Sequence, residues 1–375
     1  MNILILATHL NRGGISRYCL NLAKGFVKGG HHVTIATSGG EWVEEVQSLG
    51  AVHKTIPIRT KSITSPKILI SLCILLPFLR REKIHIVHSN TRVTQVLGYL
   101  LYRFSGTPYI SAFHGFYRPH IVRKLLPFSG IRTIAVSHAV KKHLVEDLKM
   151  QEEKIWVVHN GIDGSEFSSR KMRKVDLGFQ EADFLIGILG RISEEKGHLL
   201  AVQAYRLLQE HYHNAYLLIS GKGRLEDELR LFIQEVGLDD RVRLGSWQAD
   251  QFLDVIDLLL VPSRKEGFGY AILEAFAKGV AVIGFNIGGI SEIIQDRQNG
   301  MLFDNYDGSS LKKVIEEVMV NEELYHKLIQ EARRSVRSFS LEKMATSTET
   351  IYREALHSMP KYQKIQPPEV KGKSQ

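Results

Sequence analysis

The sequence predicts an α/β protein built from two doubly wound parallel-sheet domains. Three observations predict it. Short apolar strands alternate with amphipathic helices from end to end, the pattern of βαβ units and parallel sheets. At 375 residues the chain is too long for one ordinary core of this kind, so two domains are expected. The alternation also pauses once, over the polar stretch 163–181, and then resumes.

In the first half, strands are expected at 2–7, 32–37, 84–88, 109–113, 133–136 and 155–158, with helices at 16–28 and 93–104 between them. In the second half, strands are expected at 184–190, 215–220, 242–244, 258–261 and 280–283, with helices at 198–209, 225–236 and 270–278. The pause contains Arg170, Lys171, Arg173 and Lys174 and lacks strong periodicity. It divides the chain into domains 1–165 and 166–340, followed by a last helix at 341–357. From Pro360 onward the composition is rich in Lys, Gln and Pro, which predicts a disordered tail.

Apolar content of 44% and charged content of 24% are those of a soluble globular protein. Two cysteines, Cys19 and Cys73, exclude a disulfide framework or a zinc cluster and suit a reducing, cytoplasmic setting. The opening apolar run lacks the basic flank of a secretory signal and reads as a buried strand. The longest apolar run, 68–79, is interrupted by Pro77 and is shorter than the roughly 20 residues a membrane-spanning helix needs, so no transmembrane helix is expected. The net charge of +9 is uneven: residues 1–160 carry 21 Lys+Arg against 8 Asp+Glu, whereas the rest carries 28 against 32. The basic half fits an anionic partner, or simply a solvated surface.

Paired doubly wound domains bind ligands at the carboxyl ends of their strands, so the residues that follow strands carry the functional information. After the first strand come Gly13-Gly14 and a helix start. Glycines there let the backbone approach a phosphate or sugar, although a plain tight turn would look the same. Neither a G-x-G-x-x-G nor a G-x-x-x-x-G-K-[ST] motif occurs, which argues against nicotinamide cofactors and P-loop chemistry. His114-Gly115 follows the strand at 109–113; a histidine there suits a sugar hydroxyl or a leaving group, but it is one of 16 in the chain. Gly190-Arg191 and Lys196-Gly197 follow the first strand of the second domain. Two cations beside a helix N-terminus suit a pyrophosphate. The pair Gly221 and Gly223 ends the next strand and is placed over the nucleotide.

The most informative segment runs from Glu266 to Glu274. Glu266 sits in a glycine-bearing loop. Glu274 lies one turn into a helix, on a face otherwise made of Ala271, Ile272, Ala275 and Phe276. A carboxylate there costs desolvation unless it has partners, and ribose hydroxyls would serve. A carboxylate complementing the helix dipole would explain one glutamate better than two. Gly288-Gly289 opens a further helix, and Glu292 reads as a partner for a neighbouring cation.

Taken with Asn160-Gly161-Ile162-Asp163 at the junction and Gly288-Gly289-Ile290, these pieces resemble glycosyltransferase family 4 in order and spacing over roughly residues 1–357. The resemblance implies the GT-B fold, two Rossmann-like domains facing a cleft, and transfer from a nucleoside-diphosphate sugar with retention of anomeric configuration. It implies that Arg191 and Lys196 hold the donor diphosphate, Glu266 contacts the donor sugar, and Glu274 binds ribose. By the same resemblance Phe268, Gly269 and Tyr270 lend backbone amides, and His114 contacts the transferred sugar. Gly13 and Gly14 then line the cleft, Gly190 belongs to the donor loop, and the last helix crosses back onto the first domain.

No Asp-x-Asp triplet occurs, so neither a metal-bound pyrophosphate nor any cofactor is expected, Arg191 and Lys196 taking the metal's place. No second carboxylate stands out as a nucleophile. The acceptor is expected to be a glycan or lipid-linked molecule of cell-envelope polysaccharide, lipopolysaccharide or glycolipid synthesis. The basic, apolar segments 67–83 and 118–128 would rest on an anionic membrane surface; an ordinary buried helix at 68–79 is the competing reading. Two other functions are compatible with the scaffold: a nucleotide-sugar epimerase, and a sugar- or nucleic-acid-binding module, though no stacking or helix-turn-helix signature supports nucleic acid.

Overall fold

The computed structural model describes residues 1–359 except 168, 170 and 171; the expectations for Arg170, Lys171 and the tail from Pro360 lie outside the described residues. Two fully parallel sheets form the frame. The first contains β1 (Asn2–Leu6), β2 (His32–Thr37), β3 (Val52–Thr55), β4 (Ile86–Ser89), β5 (Tyr109–Phe113), β6 (Arg132–Ala135) and β7 (Ile155–Val157) in the order 3-2-1-4-5-6-7. The second contains β8 (Phe184–Leu189), β9 (Ala215–Ser220), β10 (Val242–Gly245), β11 (Leu258–Val261), β12 (Ala281–Phe285) and β13 (Met301–Phe303) in the order 10-9-8-11-12-13. Each order reverses beside the first strand of its sheet, and that reversal opens a crevice at the strands' carboxyl ends.

Central strands are buried on both faces, which is why they read as unbroken apolar runs: Ile3 to Leu6, Ile110 and Leu258 to Leu260 are essentially inaccessible. Two strands escape the sequence pattern, β3 and β13, and both sit on sheet edges. They are only four and three residues long, so Val-His-Lys-Thr and Met-Leu-Phe carry little periodic signal.

The last helix, Leu341–His357, packs along the first helix, Gly14–Lys28. Their approach is close: a Cβ at Gly25 would lie 2.7 Å from Ala345 Cβ. Tyr352 on the last helix is fully buried beside Phe26 and His88 of the first domain. The junction is tied down as well. Lys24 Nζ lies 2.6 Å from both Asp163 and Glu166, and Asn21 donates to the Gly161 carbonyl at 2.7 Å.

Candidate active site

Between the two crevices lies a cleft of about 1470 Å³. Its walls hold Gly13, Gly14 and His114 from the first domain, with Gly190, Arg191, Lys196, Gly221, Glu266, Phe268, Gly269, Tyr270 and Glu274 from the second. Of the residues given a catalytic or donor-binding role from sequence, Gly223 is not part of this wall. A Cβ on Gly223 would run into the Ile192 carbonyl, and one on Gly221 into the Gly190 carbonyl. Glycine at both positions is therefore required for two loops to lie backbone against backbone, a reason that placement over a nucleotide did not anticipate.

Among the described residues, helices Gly14–Lys28 and Tyr270–Lys278 start at the cleft with a glycine N-cap and no side-chain cap; His198–Leu208 has the same kind of cap, Gly197, but it is buried behind Lys196. Helices Arg92–Ser105, His138–Glu146 and Gly308–Val320 are capped by Thr91, Ser137 and Asp307. Uncapped starts leave amide N–H groups available to an anion, and the helix dipole favours it. At Gly14 an added Cβ would meet nothing within 4 Å, so the protein's own packing does not demand a glycine there.

Arg191 is exposed in the cleft, and Lys196 donates to Glu266 Oε2 at 2.5 Å. Lys196 thus holds the loop carboxylate while facing the same space as Arg191. Glu274 is buried, as its helix face predicts. Burial pushes its pKa up, and the neighbouring Arg17 opposes that rise. Arg17 lies 3.5 Å from Glu274 and 3.5 Å from Glu166, and it rests over Trp42 and Phe167. Sequence reasoning missed Arg17, although a cation in the first turn of the helix after Gly13-Gly14 was a readable signal.

The Glu266–Gly267–Phe268 loop closes directly onto the first domain. Gly267 abuts the backbone of His114 and Gly115, and from behind the loop is braced by Gly288-Gly289, with the Gly289 amide donating to the Glu266 carbonyl at 3.1 Å. The Phe268 side chain does not face the cleft freely. It is buried, stacked on His159 at 5.4 Å and edge-on to Phe339 at 5.8 Å. Glu292 pairs with a neighbouring basic side chain, His159, as expected, and does more besides. Its carboxylate accepts from the backbone amides of His138 (2.9 Å) and Ala139 (2.8 Å) and from His159 Nε2 (2.9 Å), capping a first-domain helix from the second domain. Burial raises its pKa, but these hydrogen bonds outweigh that and hold it below the usual range. Among the described residues His138, His159 and Glu292 form the one group with metal-ligand spacing, and the three hydrogen bonds already account for Glu292.

Known proteins resemble both halves. The model of "Glycosyltransferase Family 4" matches residues 12–166, and that of "Glycosyl transferases group 1" matches residues 169–335. An uncharacterized glycosyltransferase of Methanocaldococcus jannaschii is 26% identical, over 92% of this chain and 96% of its own length. UDP-Gal:alpha-D-GlcNAc-diphosphoundecaprenol alpha-1,3-galactosyltransferase of Escherichia coli is 27% identical, over 67% of this chain and 70% of its own. Anabaena HepE, solved with UDP and glucose, superposes with a TM-score of 0.81 at 19% identity, covering 93% of this chain and 98% of its own. The fold is thus GT-B, and the class of protein is a group 1 glycosyltransferase. The chain belongs to glycosyltransferase family 4.

Proposed function

We propose that this enzyme transfers a sugar from a nucleoside-diphosphate sugar to a lipid-linked or glycan acceptor, with retention of configuration and without a metal or cofactor. The observation that carries the reading is the convergence in one cleft of Arg191, Lys196 and the uncapped starts of helices Gly14–Lys28 and Tyr270–Lys278 with the carboxylates Glu266 and Glu274.

Cleavage of the anomeric C–O bond leaves negative charge on the departing diphosphate. Preorganised cations and amides act where that charge develops, and each charged donor of this kind is worth about 3–4 kcal/mol. Glu274 receives the ribose hydroxyls, displacing part of its pairing with Arg17, and Glu266 orients the transferred sugar while Lys196 bridges it to the diphosphate. His114 faces that sugar from the first domain. Departure of the diphosphate on the face that the acceptor enters accounts for retention without a covalent sugar–enzyme intermediate.

For the acceptor, the E. coli relative is named for a diphosphoundecaprenol-linked substrate. The first domain here exposes the apolar Leu69, Ile70, Phe104, Ile121, Leu125 and Leu126 and the cationic Arg80, Arg81, Lys83 and Lys124. No helix among the described residues is long and apolar enough to cross a membrane. These groups instead suit peripheral contact with an anionic bilayer at its cytoplasmic face, as part of envelope polysaccharide, lipopolysaccharide or glycolipid synthesis. A thermal-shift panel of UDP-, GDP- and ADP-sugars in EDTA is the test of the donor, since a bound donor stabilises by mass action. One family of nucleotide sugars raising Tm supports the reading; none doing so, or a dependence on added divalent metal, overturns it. NMR of the product's anomeric centre decides retention. Flotation with anionic liposomes decides the membrane contact, which absence from the lipid fraction at low salt would exclude.

A further inference from the structure

Asn90 lies at the carboxyl end of β4, beside the reversal of strand order, and is completely buried. Its amide nitrogen donates to the Leu6 carbonyl at the end of β1, 3.2 Å away. A carbonyl only accepts, so this bond fixes which way the amide faces. The amide oxygen Oδ1 then lies 3.0 Å from His114 Nε2. Oδ1 cannot donate, so the proton of that bond sits on Nε2. Burial pushes the His114 pKa down to about 3, so the ring is neutral and carries a single proton. Nδ1 is left as a bare acceptor, and among the described hydrogen bonds it has no protein partner.

The ring is held from other sides as well. Tyr18 packs edge-on against it with centroids 4.5 Å apart. The Tyr18 hydroxyl lies 3.4 Å from His88 Nε2, and His88 Nδ1 lies 2.5 Å from the Tyr352 hydroxyl of the last helix. The His114 backbone amide donates to the Tyr117 hydroxyl at 3.2 Å. His114 nevertheless lines the cleft.

We propose that Asn90 is a positioning residue that locks His114 in the Nε2–H tautomer, so that His114 can only accept a hydrogen bond, through Nδ1, from a sugar hydroxyl in the cleft and cannot act as a general acid toward the leaving group. The inference rests on the reading of His114 as a donor-sugar contact. It narrows the two roles that a histidine at this position fits to one, and it requires a donor that carries a free hydroxyl facing Nδ1.

Long-range 1H–15N NMR of the imidazoles in the full-length protein tests the lock without turnover. Wild type is expected to show His114 as the Nε2–H tautomer at pH 7, Asn90→Asp to keep a proton on Nε2 because a carboxylate still accepts there, although it gives up the bond to the Leu6 carbonyl, and Asn90→Leu to lose the preference. In steady-state assays Asn90→Leu is expected to lower kcat at least tenfold with donor KM within about threefold, and Asn90→Asp to restore most of it. An Nδ1–H or doubly protonated His114 in wild type, or an unchanged tautomer in Asn90→Leu, overturns the proposal. If Asn90→Leu fails to fold, wild type and Asn90→Asp still decide the tautomer. Full kcat in His114→Ala, with the tautomer as expected, would instead sink the reading of His114 as a sugar contact, and the functional half of this proposal with it.

Discussion

Substituting Gly267 by Ala adds one methyl where the two domains meet. Gly267 has an ordinary backbone conformation, so the effect is steric and not conformational. Its Cβ would lie 2.9 Å from the His114 carbonyl carbon and 3.0 Å from Gly115 Cα, and closer still to the carbonyl oxygen. Carbon contacts settle at about 3.5–4.0 Å and the oxygen contact is tighter still, so relief requires a displacement of at least about 1 Å. The loop has nowhere to retreat: a Cβ at Gly289 would already lie 2.6 Å from Phe268 Cα, and the Gly289 amide is bonded to Glu266. His114 and the second domain must therefore move apart. Overpacking of this kind costs about 1–3 kcal/mol of stability, and a misplacement of about 1 Å costs about 100-fold in rate. Initial rates at saturating donor and acceptor, with Tm measured in parallel, give the answer. Gly164→Ala is the control, because its Cβ meets no atom within 4 Å and it lies outside the cleft wall. Wild-type kcat in Gly267→Ala would refute the view that the loop and His114 must touch for transfer.

Three further outcomes are expected. Gly14→Ala should leave Tm unchanged, since nothing lies within 4 Å of the new methyl, yet weaken ligand binding in the cleft by calorimetry; a large loss of Tm would make Gly14 structural. Arg17→Met leaves the buried Glu274 carboxylate without its close cation and should cost about 3 kcal/mol at pH 8. Because burial raises the Glu274 pKa, that deficit relative to wild type should shrink as pH falls and the carboxyl protonates; a pH-independent deficit in chemical denaturation contradicts the pairing. His88, fully buried with its pKa pushed down to about 3, keeps its contribution to stability above the unfolded value of 6.5 and loses it as pH falls below that. At pH 5 the loss from His88 alone is about 2 kcal/mol. His88→Gln should flatten the acid limb of the stability curve by that amount, and an unchanged limb would show that the titration lies elsewhere.

Much of this was legible because the physics is local. Inner strands of a parallel sheet are buried on both faces and announce themselves as apolar runs, and glycine-opened helices after such strands mark the crevice. Glu274 was readable because a carboxylate on an apolar helix face calls for partners. The rest depends on contacts that no window of sequence contains. The bonds of Glu292 to residues 138 and 139 span more than 150 positions, so its capping of another domain's helix leaves no local trace. Asn90 reads as one more polar residue after a strand until Leu6 and His114 are seen on either side of it. Gly223 carries the look of a ligand loop, yet its reason is the Ile192 carbonyl.

The central claim is that the cleft binds a nucleoside-diphosphate sugar through Arg191 and Glu274. Isothermal titration calorimetry of the stabilising nucleotide sugar against wild type, Arg191→Ala and Glu274→Ala tests it most directly. Affinity is expected to fall at least tenfold in each variant, with the bare nucleoside showing the Glu274 effect but not the Arg191 effect. Unchanged donor affinity in both variants would contradict the account.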